Sequence, residues 1–148
     1  MLLYRICDST YSLDISGKGA ARNGGRWNPI DKPMLYASEH ASLRALEIVV
    51  HAHQAIFNID YDLIVLDVPD VKNILDVDED IIGSNWQKDL QRTQSFGLSF
   101  LSSNRLLAAV PSVIVPEERN YLINPNHHLF SRIQIVSKRP FAFDERLR

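Results

Sequence analysis

The sequence predicts an α+β fold, a small mixed β-sheet core with flanking helices, forming a single domain over residues 1–148. The candidate strands and helices do not alternate strictly along the chain, which argues against a doubly wound parallel sheet. A length of 148 residues and a hydrophobic fraction of 45% are ordinary for one globular domain. No repeat, low-complexity segment or Pro/Gly/Ser-rich linker divides the chain.

The N-terminal half contains three apolar segments typical of short strands and one typical of a helix. The strands are expected at residues 2–6, 34–37 and 63–68. Ser38 is suited to cap a helix that runs to about Gln54. Residues 14–28 form a polar loop with four of the six glycines, which indicates positive φ angles or close backbone contacts there.

The C-terminal half is expected to add one helix and three strands. An aspartate-rich polar stretch covers residues 70–80, and the helix is expected from about residue 85 to 95, ending near Gly97. The strands are expected at residues 113–115, 121–123 and 133–136.

Charge and cysteine content exclude several functions. Sixteen Lys and Arg against eighteen Asp and Glu give a net charge of −2, and no basic run stands out. Direct nucleic-acid binding is therefore not expected, because phosphate neutralisation needs a clustered positive surface. Cys7 is the only cysteine, which excludes an intramolecular disulfide and a cysteine-based zinc site. The sequence lacks a signal-peptide pattern and an apolar run of about 20 residues, so we expect a cytoplasmic location without membrane contact.

Two common kinds of catalytic centre have no recognisable pattern. His51 and His53 are two apart on the predicted helix and point to different faces. Glu47 and His51 have no third ligand at a recognisable spacing, so no metal is expected. Ser112 follows Pro111 without the glycines of a nucleophile elbow, which argues against a serine hydrolase.

The glycine loop ends in a segment suited to anion binding. Gly17-Lys18-Gly19 lacks the third glycine of the dinucleotide fingerprint and the Lys-Ser/Thr of a P-loop, which favours an irregular surface loop. Further on, Arg26 follows two glycines and could bind an anion bidentately through its guanidinium, with Trp27 as an apolar wall. Simple packing of Arg26 on Trp27 is an equally common arrangement.

The helix after Ser38 has one narrow polar strip on an otherwise apolar surface. The strip consists of Arg44, Glu47, His51 and Gln54. The pattern alone favours a strip that faces solvent, with Glu47 in an ordinary helical ion pair. A strip that lines a cleft is the alternative, which makes Glu47 a candidate site residue.

Several short segments follow one another in order along nearly the whole chain. They are Tyr4-Arg5, Gly24-Gly25-Arg26-Trp27-Asn28, Leu35-Tyr36-Ala37-Ser38, Leu43-Arg44-Ala45-Leu46-Glu47, the Val-Pro-Ser-Val-Ile-Val-Pro of residues 110–116, Asn120-Tyr121-Leu122-Ile123-Asn124-Pro125 with His127, and Pro140-Phe141-Ala142-Phe143-Asp144. Together they resemble the RES-domain family, named for an arginine, a glutamate and a serine that its members share. Members often have Gly-Asp-x-Trp before the Pro-Ser segment, whereas residues 97–100 read Gly-Leu-Ser-Phe, so the aromatic is kept and the acid is not.

The resemblance implies an ADP-ribosyltransferase-like fold with NAD, the substrate, held in a cleft on a small β core. It also implies the toxin of a bacterial type II toxin–antitoxin system, which depletes cellular NAD by cleaving the nicotinamide–ribose bond. Such a toxin is neutralised by a cognate Xre-type helix-turn-helix antitoxin, and a homodimer within that complex is compatible with the family.

The family's catalytic and NAD-binding residues correspond to Arg26, Tyr36, Glu47 and Ser112. Glu47 would hold the ribose hydroxyls and stabilise the oxocarbenium-like centre. Arg26 would fix phosphate or amide groups, Tyr36 would orient the nicotinamide ring, and Ser112 would hydrogen-bond the ribose or amide. Nicotinamide leaves as a neutral molecule, so neither a general acid nor a metal is expected.

Three functions remain open. The first is an NAD glycohydrolase or phosphorylase, in which water or phosphate captures the ribosyl cation. The second is a protein mono-ADP-ribosyltransferase, although Ala45 and Leu46 replace the Glu-x-Glu signature before Glu47. The third is a non-enzymatic domain that binds a nucleotide or partner through its glycine-rich loop. Release of nicotinamide from NAD would separate this third function from the other two.

Overall fold

A computed structural model describes residues 1–69 and 72–148, and its strands form one mixed sheet. In chain order the strands are β1 (Leu2–Asp8), β2 (Leu35–Ser38), β3 (Tyr61–Asp67), β4 (Leu75–Asp76), β5 (Leu107–Pro111), β6 (Arg119–Ile123) and β7 (Gln134–Phe141). They lie in the order β4-β5-β6-β2-β1-β3-β7. The β4–β5 pair is parallel and the other neighbouring pairs are antiparallel. This mixed sheet confirms the predicted α+β fold class.

Within the described ranges two long helices pack on the sheet, and two short ones lie in the connections. The helices are α1 (Lys18–Asn23), α2 (Ala41–Ala52), α3 (Glu79–Ile82) and α4 (Leu90–Leu101). The apolar side of α2 packs on Ile6 of β1 through Ala45 and Ile48, and α4 packs on β5 and β6 through Phe100 and Leu101. None of the helices within the described ranges is long and apolar enough to cross a membrane.

Strand pairing places the polar residues of β2 and β6 on the face that the two long helices cover. Tyr4 pairs with Ser38, and Ser38 pairs with Asn120. Directly paired residues point to the same face of a sheet, and Tyr36, two residues before Ser38, shares that face. The opposite face packs into a separate apolar core that contains Leu3, Leu35, Ala37, Ile64, Leu66, Leu107 and Ile123.

Ser38 is not the helix cap that the sequence predicted. It is the last residue of β2, and its Oγ donates a hydrogen bond to Asn120 Oδ1 at 2.6 Å. The helix begins at Ala41 after His40, which caps it without a side-chain hydrogen bond. It ends at Ala52, so Gln54 lies in the following 3-10 turn and not on α2. The hydroxyl of Ser38 therefore bonds to the neighbouring strand β6, whereas the local sequence predicted that it would cap the helix.

The second long helix is displaced from its predicted position. Asp89 caps it by accepting a hydrogen bond from the Arg92 backbone N–H, and residues 86–88 form only a 3-10 turn. Gly97 lies inside α4 and does not end it. A side chain on Gly97 would collide with the carbonyl of Trp27, so this glycine allows α4 to approach the glycine loop. Glycine usually marks the end of a helix, but Gly97 is explained by the close contact between α4 and the glycine loop.

The strand predicted at residues 113–115 is also wrong, because the strand lies earlier, at Leu107–Pro111. The backbone N–H groups of Ile114 and Val115 instead donate to the hydroxyl of Ser112. Short elements were missed: α1 lies inside the predicted polar loop, and β4 and the start of α3 lie inside the aspartate-rich stretch. Residues 70–71 of that stretch lie outside the described ranges.

We expect Gly97→Ala to destabilise the protein and Gly19→Ala to stabilise it. The first change forces a methyl group into the Trp27 carbonyl and should lower the free energy of unfolding by about 1–3 kcal/mol or more. The second places a methyl group on α1 where no atom beyond its chain neighbours and its own helix backbone lies within 4 Å, and should raise that free energy by about 0.5–1 kcal/mol. Chemical denaturation measures both. Equal stability of the two variants would contradict the close packing of α4.

Candidate active site

A cleft of about 720 Å³ opens on the helix-covered face of the sheet. Its walls come from the glycine loop, β2, α2, the start of α4 and the segment that follows β5. Arg26, Tyr36 and Glu47 line it directly. Ser112 is not part of the cleft wall but donates a hydrogen bond to Glu47. The structure therefore brings all four predicted residues to one place. The volume is within the range typical of small-molecule sites, about 300–1,000 Å³.

The carboxylate of Glu47 is held by two neutral donors on its Oε1 atom. Ser112 Oγ donates at 2.8 Å and Asn120 Nδ2 at 2.7 Å. Within the described residues no hydrogen bond or ion pair reaches Oε2, and this atom is not shut off from solvent. Neither donor neutralises the carboxylate. One oxygen is thus fixed, and the negative charge remains available to the cleft.

Three of the four residues of the polar strip line the cleft, so the solvent-facing interpretation from the pattern alone is wrong for Arg44 and Glu47, while His51 is also exposed. Arg44, Glu47 and His51 all line the cleft. Glu47 forms no ion pair with Arg44 or His51 among the described residues, and its Oε1 accepts from Ser112 and Asn120. The apolar side is also less buried than the pattern suggests, since Leu46 and Val50 are 39% and 50% exposed.

Ser112 directs its hydroxyl at Glu47 and not into the cleft. The residue is 1% exposed and comes directly after β5. Its Oγ accepts from the backbone N–H groups of Ile114 and Val115, each at 3.1 Å. A carboxylate can only accept, so the serine proton is donated to Glu47. Ser112 therefore supports the carboxylate, which differs from the direct substrate contact that the sequence suggested.

Asn120 is a site residue that sequence reasoning missed. Its Oδ1 accepts from Ser38 Oγ while its Nδ2 donates to Glu47, so both ends of the amide are used. The residue lies on β6 opposite Ser38 of β2. The Asn-Tyr-Leu-Ile segment is visible in the sequence, but only the strand pairing shows that its first side chain faces Glu47.

Tyr36 anchors the glycine loop through its hydroxyl. It donates to Asn28 Oδ1 at 2.5 Å and accepts from the Trp27 backbone N–H at 3.2 Å. Burial raises the pKa of Tyr36 far above its ordinary value, so the hydroxyl keeps its proton at any physiological pH. A Cβ on Gly25 would crowd the same hydroxyl, which explains a glycine at that position.

Arg26 packs on a tryptophan other than its neighbour. Its Nη1 donates to the Gln87 carbonyl at 3.1 Å, and its guanidinium lies 5.8 Å from the centre of the Trp86 ring. Trp27 is 3% exposed and belongs mainly to the apolar core. Arg26 is thus already oriented by one hydrogen bond and one aromatic contact at the wall of the cleft.

Two residues of α4, also missed from sequence, fix the backbone of the same loop. Thr93 Oγ1 donates to the Arg26 carbonyl at 2.6 Å, and Gln94 Nε2 donates to the Gly25 carbonyl at 2.9 Å. Gln94 also lines the cleft. The polar spacing on α4 gave no signal of this role, because the acceptors are backbone atoms about 70 residues earlier.

The position where the family often has an acid is not part of the cleft. Leu98 is 39% exposed on α4 and does not contribute to the cleft wall, while Phe100 is buried in the core. The aromatic residue therefore serves packing. As for metals, no group of three or more His, Cys, Asp or Glu within residues 1–69 and 72–148 is placed to hold an ion.

Comparison with known proteins identifies the relatives of this chain. A model of the RES domain matches residues 2–144. The Toxin Res proteins of Photorhabdus laumondii and Yersinia enterocolitica are 35% and 34% identical, covering 99% and 100% of this chain and 97% and 100% of their own. A Sphingobium protein named Prs ADP-ribosylating toxin is 36% identical over 93% of this chain and 89% of its own.

A solved structure shows the same fold. It is the crystal structure of the M. tuberculosis MbcT–MbcA toxin–antitoxin complex, with a TM-score of 0.73 and 21% identity over 95% of this chain and 84% of the matched chain. The fold agrees with the one that the resemblance implied. From the match of the family model and the near full-length relatives, we conclude that this chain belongs to the RES domain family.

Proposed function

We propose that this chain is a toxin that cleaves the nicotinamide–ribose bond of NAD and transfers the ADP-ribosyl group to water or phosphate. The observation that carries the proposal is the Glu47 carboxylate, fixed through Oε1 and open to the cleft through Oε2. Hydrolysis at an anomeric carbon passes through an oxocarbenium-like state that a held carboxylate stabilises.

In the proposed reaction Glu47 holds the ribose hydroxyls of the nicotinamide nucleoside. The C–N bond breaks, its electron pair neutralises the pyridinium, and nicotinamide departs as a neutral molecule. Water or phosphate then bonds to the anomeric carbon, and in the case of water one proton is released to solvent. The departing group needs no proton, which agrees with a cleft in which Glu47 is the acid that the described residues place in the wall.

The other site residues are assigned positioning and binding roles. Ser112 and Asn120 orient the carboxylate, in place of a direct bond from Ser112 to the substrate. Tyr36 provides a wall for the nicotinamide ring and keeps the loop of Arg26 in place through its hydroxyl. Arg26 binds phosphate or amide groups with the nitrogen atoms that Gln87 leaves free.

A protein ADP-ribosyltransferase is the second candidate, supported by the name of the Sphingobium relative, Prs ADP-ribosylating toxin. The same oxocarbenium-like state forms in both reactions, and only the acceptor differs. The geometry around Glu47 serves either acceptor.

We further propose an Xre-type antitoxin as the partner, and a homodimer within the toxin–antitoxin complex. Membership of the RES family and the likeness in fold to the MbcT–MbcA toxin–antitoxin complex support an antitoxin. Val50 and Val113, which line the cleft, are 50% and 36% exposed, so a partner that covers the entrance would bury apolar surface. The cytoplasm, where NAD is abundant, is the location that suits this activity.

The purified chain should release free nicotinamide from NAD without an added metal, and a chelator should leave the rate unchanged. Chromatography of the second product, with and without phosphate and with a cell extract, identifies the acceptor as water, phosphate or protein. In cells, expression without an antitoxin should lower NAD as growth stops. An absence of free nicotinamide under all these conditions would favour a non-enzymatic binding domain.

Glu47→Gln should lower the rate of nicotinamide release by about 10²–10³, because it removes the charge that stabilises the transition state. Glutamine keeps the oxygen that accepts from Ser112 and Asn120, so the melting temperature should stay the same or rise. Glu79→Gln, an exposed change at the start of α3, is the matched control and should keep full activity. Near-normal turnover of Glu47→Gln would remove this residue from the mechanism.

Arg26→Lys should lower turnover about tenfold or more, since an ammonium cannot bond the Gln87 carbonyl and a substrate group in the planar geometry of a guanidinium. Arg105→Lys is a matched control, because Arg105 also donates through Nη1 to a backbone carbonyl, that of Asn73, away from the cleft. Circular dichroism should show both variants folded. Equal turnover in the two variants would mean that Arg26 only packs.

A further inference from the structure

Arg44 is a cation in the wall of the cleft, and no acceptor for it lies among residues 1–69 and 72–148. It is the fourth residue of α2, one turn before Glu47, and it lines the same cavity as Tyr36 and Glu47. Within the described ranges its guanidinium donates no hydrogen bond and forms no ion pair. Most other arginines in those ranges have an acceptor; Arg26, for example, uses a backbone carbonyl, and Arg119 binds Asp76.

Glu47 lies one helical turn from Arg44, and within the described ranges the two side chains form no ion pair. Residues three apart on a helix have Cβ atoms about 5–6 Å from each other, close enough for an ion pair. Glu47 nevertheless turns its Oε1 to Ser112 and Asn120. Burial lowers the pKa of Arg44 from its ordinary value, and the negative charge of Glu47 offsets only part of this effect. The side chain of Arg44 is only partly buried, and its guanidinium nitrogens remain accessible from the cleft, so they can bind an anionic group there.

We infer that Arg44 binds a phosphoryl group, with the pyrophosphate of the dinucleotide substrate as its ligand. The planar guanidinium carries five N–H donors in a geometry that matches phosphate oxygens. With Glu47 on the ribose, a group one helical turn away on the same cleft wall is placed to reach the phosphate attached to that ribose. The identity of the ligand as a dinucleotide rests on the proposed function, whereas the phosphoryl site itself rests on Arg44.

The test is calorimetric binding of ADP, adenosine and inorganic phosphate to the wild type and to Arg44→Gln. ADP carries the pyrophosphate but no nicotinamide, so it is not cleaved by the proposed reaction. We expect the variant to bind ADP about 10- to 100-fold more weakly and adenosine with unchanged affinity. Loss of inorganic phosphate binding, with ADP affinity unchanged, would assign the site to a free anion instead of the substrate's phosphates. Arg139→Gln on β7 removes the same charge far from the cleft and should behave as the wild type.

A second measurement separates ligand binding from a structural role. Removal of a cation that lacks acceptors should leave the melting temperature of the free protein unchanged or raise it. Arg44→Lys keeps the charge but loses the planar fork, and should bind ADP with an intermediate affinity. If Arg44→Gln binds both ADP and inorganic phosphate as the wild type does, or if its melting temperature falls along with adenosine affinity, the phosphoryl site is wrong. Failure of NAD cleavage with an Arg44-dependent affinity for ADP would overturn the enzymatic proposal and leave this site intact.

Discussion

The two hydrogen bonds to Glu47 Oε1 connect three parts of the fold at one atom. Glu47 comes from α2, Ser112 from the turn after β5, and Asn120 from β6. Because helix and sheet must be correctly placed for both bonds to form, the position of α2 on the sheet and the orientation of the carboxylate are set together. The same bonds occupy Oε1 and leave Oε2 without a partner among the described residues, so they also determine where negative charge stays available in the cleft. The position of the charged carboxylate is thus fixed by two donor groups that are themselves neutral.

The opposite wall of the cleft is the glycine loop, which is held in place by hydrogen bonds with side chains of β2 and α4. The hydroxyl of Tyr36 binds this loop from the sheet, while Thr93 and Gln94 bind its carbonyls from α4. Gly97 allows α4 to lie close enough for these contacts. The loop therefore owes its shape to tertiary hydrogen bonds, although its glycines give it the freedom to adopt that shape. Rigid support of this kind suits a binding wall better than a free loop does.

The sequence was informative where a local pattern coincided with burial. Five of the strands and α2 lie near their predicted places, since apolar runs bounded by turn residues reflect packing directly. It was misleading where a distant partner changed the role of a residue: Ser38 binds Asn120 instead of capping α2, and Gly97 permits a close approach instead of ending a helix.

The candidate site shows the same difference between local and distant contacts. Arg26, Tyr36, Glu47 and Ser112 came from the order of motifs, whereas Asn120 and Gln94 depend on strand pairing and on backbone acceptors that no local pattern reveals.

The bonding of Ser112 limits the chemistry open to this residue. Its proton goes to Glu47, and its oxygen accepts two backbone N–H groups, so both lone pairs are occupied. An oxygen in this state has no electron pair directed at a substrate carbon. Reagents that acylate or phosphonylate activated serines should therefore find no target here, and a covalent seryl adduct is not a step that this geometry supports.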